Sequence, residues 1–274
     1  MAVPAEEATE KMVEHLRAAE TALQANDLEE AENNVTRASM LQAQISDENL
    51  MIRYKALYAQ ILDKNNRFAE AGLRYYDLSV RSQLTADEKT QALQNSVICT
   101  VLAPPGMHRT RLLKLLVKDD RVENFVGFKI LQNMFMEKLI SPDLLPHFEV
   151  LLKENQKIRD RDGNTILEKA VLQHNLLAVS RIYKCVSFDD VSELLGIAPE
   201  LVETAVTRLI STGSLNGEVD QIDRLITFKE PEKKSPIDWN SYVISVCEQT
   251  NRVNELIATH HPEWHAQRVQ NQPN

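Results

Sequence analysis

Apolar residues recur at intervals of three and four along most of the chain, so that residues 6 to 185 read as a succession of amphipathic helices. Met12, Leu16, Ala19 and Leu23 mark one face of a first helix over 10–25. Asn26-Asp27 turns the chain into a second helix at 28–44, and a third covers 48–63. Asn65-Asn66 leads into a fourth at 67–82, and a fifth spans 86–103 until Pro104-Pro105-Gly106 stops it. Shorter helices are predicted at 109–117, 122–138, 142–154 and 165–184.

The pattern echoes itself. Leu28-Glu29-Glu30-Ala31 returns forty residues later as Phe68-Ala69-Glu70-Ala71, and Ser39 falls on Ser79. A helix pair of that length cannot bury its apolar face alone, and stacked pairs form an α-solenoid. Two unrelated amphipathic helices that open alike would leave the same trace.

After Cys185 the rhythm changes. Ser187 is placed to cap a short helix carrying Val191, Leu194 and Leu195, with Gly196 at its end. Pro199 suits the first turn of the next, which carries Leu201, Val202, Val206 and Leu209 and closes at Gly213. Residues 215–228 then read as a hairpin, with Leu225, Ile226 and Phe228 β-like and Asp220–Asp223 supplying the turn. Helix, helix, hairpin is the order of a winged helix, with 165–184 available as its first helix. A two-stranded hairpin is marginal alone, so an open edge is expected along it. Pro231 and Pro236 bracket a charged linker, and a last helix starts near 237. In it Trp239, Val243, Val246, Thr250, Val253 and Ile257 follow the 4-3-4-3-4 spacing of a helix seam. That seam suits a partner helix and self-packing on the winged helix equally well.

Composition supports a helical chain: only 7 of 274 residues are glycine, too few for a turn-rich all-β fold or a phosphate-cradling α/β enzyme. No apolar run approaches the 18 residues or so of a membrane span, and the acidic N-terminus lacks a secretory signal's apolar core. Cys99, Cys185 and Cys247 lie far apart, as in a reduced intracellular protein. A cytoplasmic and nuclear location is therefore expected. The net charge of −9 is unevenly spread: residues 104–184 hold 14 basic and 10 acidic groups, residues 185–274 hold 7 and 14. A recognition helix with Glu200 and Glu203 against one Arg208 would repel phosphates, which counts against direct nucleic-acid binding. The basic middle segment is either a solvated helical face or a docking surface.

Candidate chemistry is sparse. No GxGxxG, phosphate loop, GxSxG, HxH or HExxH occurs, and no catalytic, cofactor-binding or metal-ligating set is assigned. His260, His261 and His265 cluster, but Pro262 breaks their common face and nothing completes a tetrahedral shell. Asp160, Asp162 and Asn164 imitate a calcium loop, yet Gly163 is misplaced and Val171 stands where a bidentate Glu is needed. The same stretch imitates the opening of an ankyrin repeat without a second copy. A polar turn with Asn164 or Thr165 capping a helix is the simpler account.

A helical-repeat arm running into an acidic winged helix and then a separate helix resembles the PCI-domain subunits of the proteasome lid, the COP-nine signalosome and translation initiation factor three. AENNVTRASMLQ (31–42), KALYAQILD (55–63), RFAEAGLRYYDLS (67–79), LQHNLLAVSRIY (172–183), NGEVDQIDRLITF (216–228) and HPEWHAQ (261–267) resemble the subunit-four family of the signalosome. Proteasome-lid PCI subunits, sharing the architecture, fit these words less well, and a winged-helix nucleic-acid binder is the alternative of a different class. The resemblance implies a mainly α fold: a right-handed α-solenoid of helix pairs running into a winged-helix PCI domain, then a C-terminal helix. The implied divisions are an arm at 1–104, a helical PCI part at 105–185, the winged helix at 186–230, and a linker with bundle helix at 231–274. It implies a non-catalytic scaffold without cofactor, within a complex that removes the modifier Nedd from cullin-RING ligases. Its partners would be other PCI and MPN subunits and, through the complex, cullin-RING ligases, with no direct nucleic acid and no membrane. Winged-helix edges pair in that family and C-terminal helices bundle. The implied interface residues are Leu215, Val219, Ile222, Leu225, Ile226 and Phe228 on the edge, and Trp239, Val243, Val246, Thr250, Val253 and Ile257 on the helix. Members of the family carry more helical repeats before the PCI domain.

Overall fold

The computed structural model describes residues 5–45, 47–159, 163–229, 236–262 and 264. The chain divides into two units, residues 1–229 and residues 230–274. In the first, helices α1 (Ala5–Gln24) and α2 (Leu28–Met40) form one helix hairpin, and α3 (Glu48–Lys64) and α4 (Phe68–Ser79) form the next.

The forty-residue echo is backbone geometry. Asn26 and Asn66 both adopt left-handed φ angles, 61° and 59°. The following N–H, of Asp27 or Arg67, reaches back to the carbonyl of Ala22 or Leu62 at 2.9 Å, closing each helix in a Schellman turn. Ala31 and Ala71, at equivalent places, are fully buried. The N-caps differ: Asp27 accepts the Glu30 N–H at 3.1 Å, whereas Arg67 spends its guanidinium on Glu70 and, across the two hairpins, on Glu32 at 3.1 Å.

Helices α5 (Ala86–Leu102), α6 (Met107–Leu116), α7 (Phe128–Phe135), α8 (Leu145–Glu149) and α9 (Ile166–Ile182) continue the stack. Reciprocal capping boxes at Thr85/Glu88 and Thr165/Glu168 start α5 and α9. Asp160 and Asp162 lie outside the described residues. Two predicted helices are shorter than their apolar periods. The one at 122–138 begins only after Gly127, where a Cβ would sit 2.8 Å from the Phe148 ring and 2.9 Å from Val97. The one at 142–154 shrinks to a 3-10 turn at Pro142–Leu144 and five residues of α8, and Pro146, with no N–H for the Pro142 carbonyl, separates the two.

A buried carboxylate ties the early helices to this later part. Asp63, 2% exposed, accepts from Lys153 Nζ at 2.8 Å and from Gln156 Nε2 at 2.7 Å. Burial, reinforced by the Asp63 charge, pushes the Tyr75 phenol and the Cys99 thiol up, so both stay neutral beside it.

Helix α9 belongs to two cores. Leu167 and Val171 pack with α3–α8, whereas Leu176 and Val179 pack in the winged helix. Between those pairs sit His174 and Asn175, both buried. Asn175 accepts the Ile140 N–H at 2.9 Å and donates to the Ile140 carbonyl at 3.1 Å. His174 Nε2 donates to the Lys138 carbonyl at 2.9 Å. Burial pushes His174 down to about 4 against that hydrogen bond, with the Arg109 and Arg181 charges adding to the effect.

The winged helix comprises β1 (Cys185–Ser187), α10 (Phe188–Leu195), α11 (Pro199–Ser211), β2 (Gly217–Asp220) and β3 (Leu225–Phe228). Ser187 caps α10 through the Asp190 N–H at 3.0 Å, Gly196 ends it at φ +66°, and Pro199 opens α11, each as the residue types predict. The sheet has three strands in the order β1-β3-β2, all antiparallel. The short β1 covers the side of β3 that a two-stranded hairpin would leave open.

Two outcomes test the α9 junction. Asn175→Ala leaves a buried N–H and a buried carbonyl unpaired and is expected to cost about 2–4 kcal/mol in urea unfolding. A loss under about 1 kcal/mol would mean that water takes the amide's place. His174 is neutral when folded and takes up a proton below about 6.5 when unfolded, so its contribution is present above pH 6.5 and lost as pH falls toward 4. Wild type should lose about 3 kcal/mol over that interval from this group. His174→Gln should remove that part of the slope.

Candidate assembly surfaces

Two surfaces expose what a folded domain ordinarily covers: the free edges of the sheet and the face of the last helix. The wing is built from a tight turn outward. Asp220 Oδ1 accepts the N–H groups of Ile222 and Asp223 at 2.9 and 3.1 Å, and Arg224 takes a left-handed φ of 53°. Gln221 Nε2 donates to Glu203 on α11 at 2.6 Å, anchoring the wing tip to the helix below. Gly217 is required by proximity: a Cβ there would lie 2.8 Å from the Thr227 carbonyl oxygen.

The six expected edge residues separate into three groups. Leu215, Ile226 and Phe228 are buried in the winged-helix core. Val219 and Leu225 are half-buried, and Val219 packs against that core. Ile222, at the wing tip, is 92% exposed. β3, which carries three of the six, is the central strand, with Ile226 opposite Val186 on one side and Val219 on the other. The free edges are those of β2 and β1. Glu218 and Asp220 mark the outer one, Glu218 paired with Lys229. Charged side chains along a backbone edge discourage indiscriminate strand pairing.

The second unit contributes α12 (Pro236–His260), 25 residues and so about 37 Å long. The linker residues 231–235, Pro231 included, lie outside the described set. The whole seam is at the surface of α12: Trp239 is 71% exposed, Val246 62%, Val243, Thr250 and Val253 are exposed, and Ile257 is half-buried. Ile244 and Leu256 are also exposed, off the line of the seam. Thr250, its polar member, donates its hydroxyl to the Val246 carbonyl at 2.8 Å and presents no unpaired donor to the seam.

His260 and His261 are exposed, and His265 lies outside the described residues. Among the described residues no three His, Cys, Asp or Glu side chains are placed to hold a metal ion, and no helix is long and apolar enough to cross a membrane. Glu200 and Glu203 open α11, and Glu203 is engaged with the wing.

The chain matches the family model of the PCI domain over residues 131–230. It is 37% identical over 254 residues to COP9 signalosome complex subunit 4 of Drosophila melanogaster, covering 93% of this chain and 62% of that one. The same subunit of Caenorhabditis elegans is 35% identical over 251 residues, with 91% and 60% covered, and that of Dictyostelium discoideum 33%, with 91% and 63%. The chain thus spans about three fifths of the length of these relatives. The match to the PCI domain begins inside α7, so it takes in α9 and the winged helix.

The wing generates its own test. Gly217→Ala should push β2 off β3 and destabilise the winged helix by about 1–3 kcal/mol. Amide exchange should accelerate in β2 and β3 first, while α1–α4 keep their protection. Wild-type protection of β2 in this variant would show that the strands re-pair around the added methyl.

Proposed function

The chain belongs to the family of COP9 signalosome subunit 4, and on that premise we propose that it is a non-catalytic scaffold subunit of such a complex. It joins neighbouring PCI and MPN subunits through the α12 seam and the free winged-helix edge. The reaction served is removal of Nedd from cullin-RING ligases, catalysed on a different subunit. Cullin-RING ligases meet this chain through the complex, in cytoplasm and nucleus. The divisions into arm, helical PCI part, winged helix and C-terminal helix are working boundaries for that role.

The observation carrying the proposal is α12. A helix with six seam positions at heptad spacing, and its large apolar side chains exposed, has a face to cover. Covering each large side chain contributes about 1.5–3 kcal/mol before association entropy is subtracted. The edge supplies direction instead: strand addition fixes register and orientation through backbone hydrogen bonds. The interface residues of the wing are then the β2 backbone and Ile222, with Leu215, Ile226 and Phe228 holding that edge in place from beneath.

Affinity purification of the tagged chain followed by mass spectrometry should bring down signalosome subunits. Val246→Asp with Val253→Asp places two carboxylates in the apolar seam and should cut that recovery at least tenfold. The isolated chain should melt within about 2 °C of wild type. A fall of ten degrees or more would assign the stripe to the chain's own core and end its assembly role.

A further inference from the structure

A cavity of about 700 Å³ lies within the first unit, walled by α6, α7, α9 and Ser214. Four cations line it, Arg109, Arg111, Lys114 and Arg181, against one carboxylate, Glu137. Glu137 is already bound to Arg181 at 2.5 Å, which leaves three positive charges unbalanced. Arg109 is the informative one. It is 4% exposed, donates to Met134 Sδ at 3.0 Å, and its Nε–H has no acceptor. A guanidinium has five N–H donors, and a thioether is a weak acceptor. Burial lowers Arg109 only to about 10, so the group remains charged at neutral pH. An unpaired buried charge is strongly destabilising, a cost that a bound anion would relieve. The α6 N-terminus adds donors: Gly106 and Met107 line the same cavity, and Gly106 provides no side-chain cap for the first turn.

We propose that this cavity binds a small molecule bearing several phosphate groups. The guanidinium fork matches phosphate oxygens, and three unbalanced cations call for a multiply charged ligand rather than a single carboxylate. The volume is that of a small-molecule site. A recessed site suits a small molecule better than a bilayer, and the acidic winged helix counts against a duplex. The basic bias of residues 104–184 thereby acquires a location, independent of the family reading.

Tripolyphosphate titrated calorimetrically into the full chain tests this. Expected is about one site per chain, with affinity falling as salt rises from 50 to 200 mM. Arg109→Met should weaken binding at least tenfold while leaving the melting temperature unchanged or higher, since it removes an unpaired buried charge. Arg111→Gln with Lys114→Gln, both exposed, should weaken it comparably and decides the matter should Arg109→Met fail to fold. His174 faces the same cavity, so bound anion should shift its imidazole titration to higher pH. Absence of binding at millimolar tripolyphosphate, or undiminished affinity in the folded variants, overturns the proposal. Equal affinity for citrate overturns it too, assigning the cavity to carboxylates such as those of an acidic partner segment.

Discussion

Everything downstream of the helical stack depends on one helix serving two cores. α9 places Leu167 and Val171 in the core of the stack and Leu176 and Val179 in that of the winged helix. A single rigid rod cannot shift in one core without disturbing the other, so the winged helix is held at a set angle to the helices before it. The buried pair His174 and Asn175 lies where the two sets of contacts meet. By bonding the backbone at Lys138 and Ile140 it pins the rod along its axis. Apolar contacts alone would allow sliding; paired hydrogen bonds to fixed backbone groups do not.

Polar groups buried in the stack play a related part over longer range. Asp63 sits at the end of α3 and takes its partners from residues 153 and 156, joining an early helix to the turn that precedes α9. Removing either side would strand a buried charge or amide, so the pairing favours one arrangement of the helices over near alternatives. Arg109 is the exception, a charged side chain buried without an oxygen partner, and it belongs to the stretch, residues 104–184, where basic residues outnumber acidic ones.

The two exposed surfaces differ in kind. The winged-helix edge offers backbone groups, which specify geometry, with its apolar side chains turned inward to support the sheet. The α12 seam offers apolar side chains, which supply binding free energy with little demand on direction beyond helix packing. Placing the second on a separate unit keeps that free energy apart from folding of the first.

Most of the helices were legible in the chain alone, though α1 starts five residues earlier and α7 six residues later than their periods predict; helical period, caps and left-handed asparagines act between residues three to five apart. Asn26 and Asn66, Thr165, Ser187, Gly196 and Pro199 all do what their types predict where they stand. The seam on α12 was legible for the same reason, as spacing along one helix. β1 was not: three residues carry no period, and their strand character comes from Ile226 and its neighbours about forty positions away. With β1 unseen, β3 passed for an edge and its inward side chains for interface. The truncation of α7 and α8, the dual allegiance of α9, the Asp63 pairing and the unmet charge of Arg109 likewise belong to tertiary structure alone. Each depends on which distant segments come within hydrogen-bond or van der Waals reach, and neighbours along the chain carry no record of that.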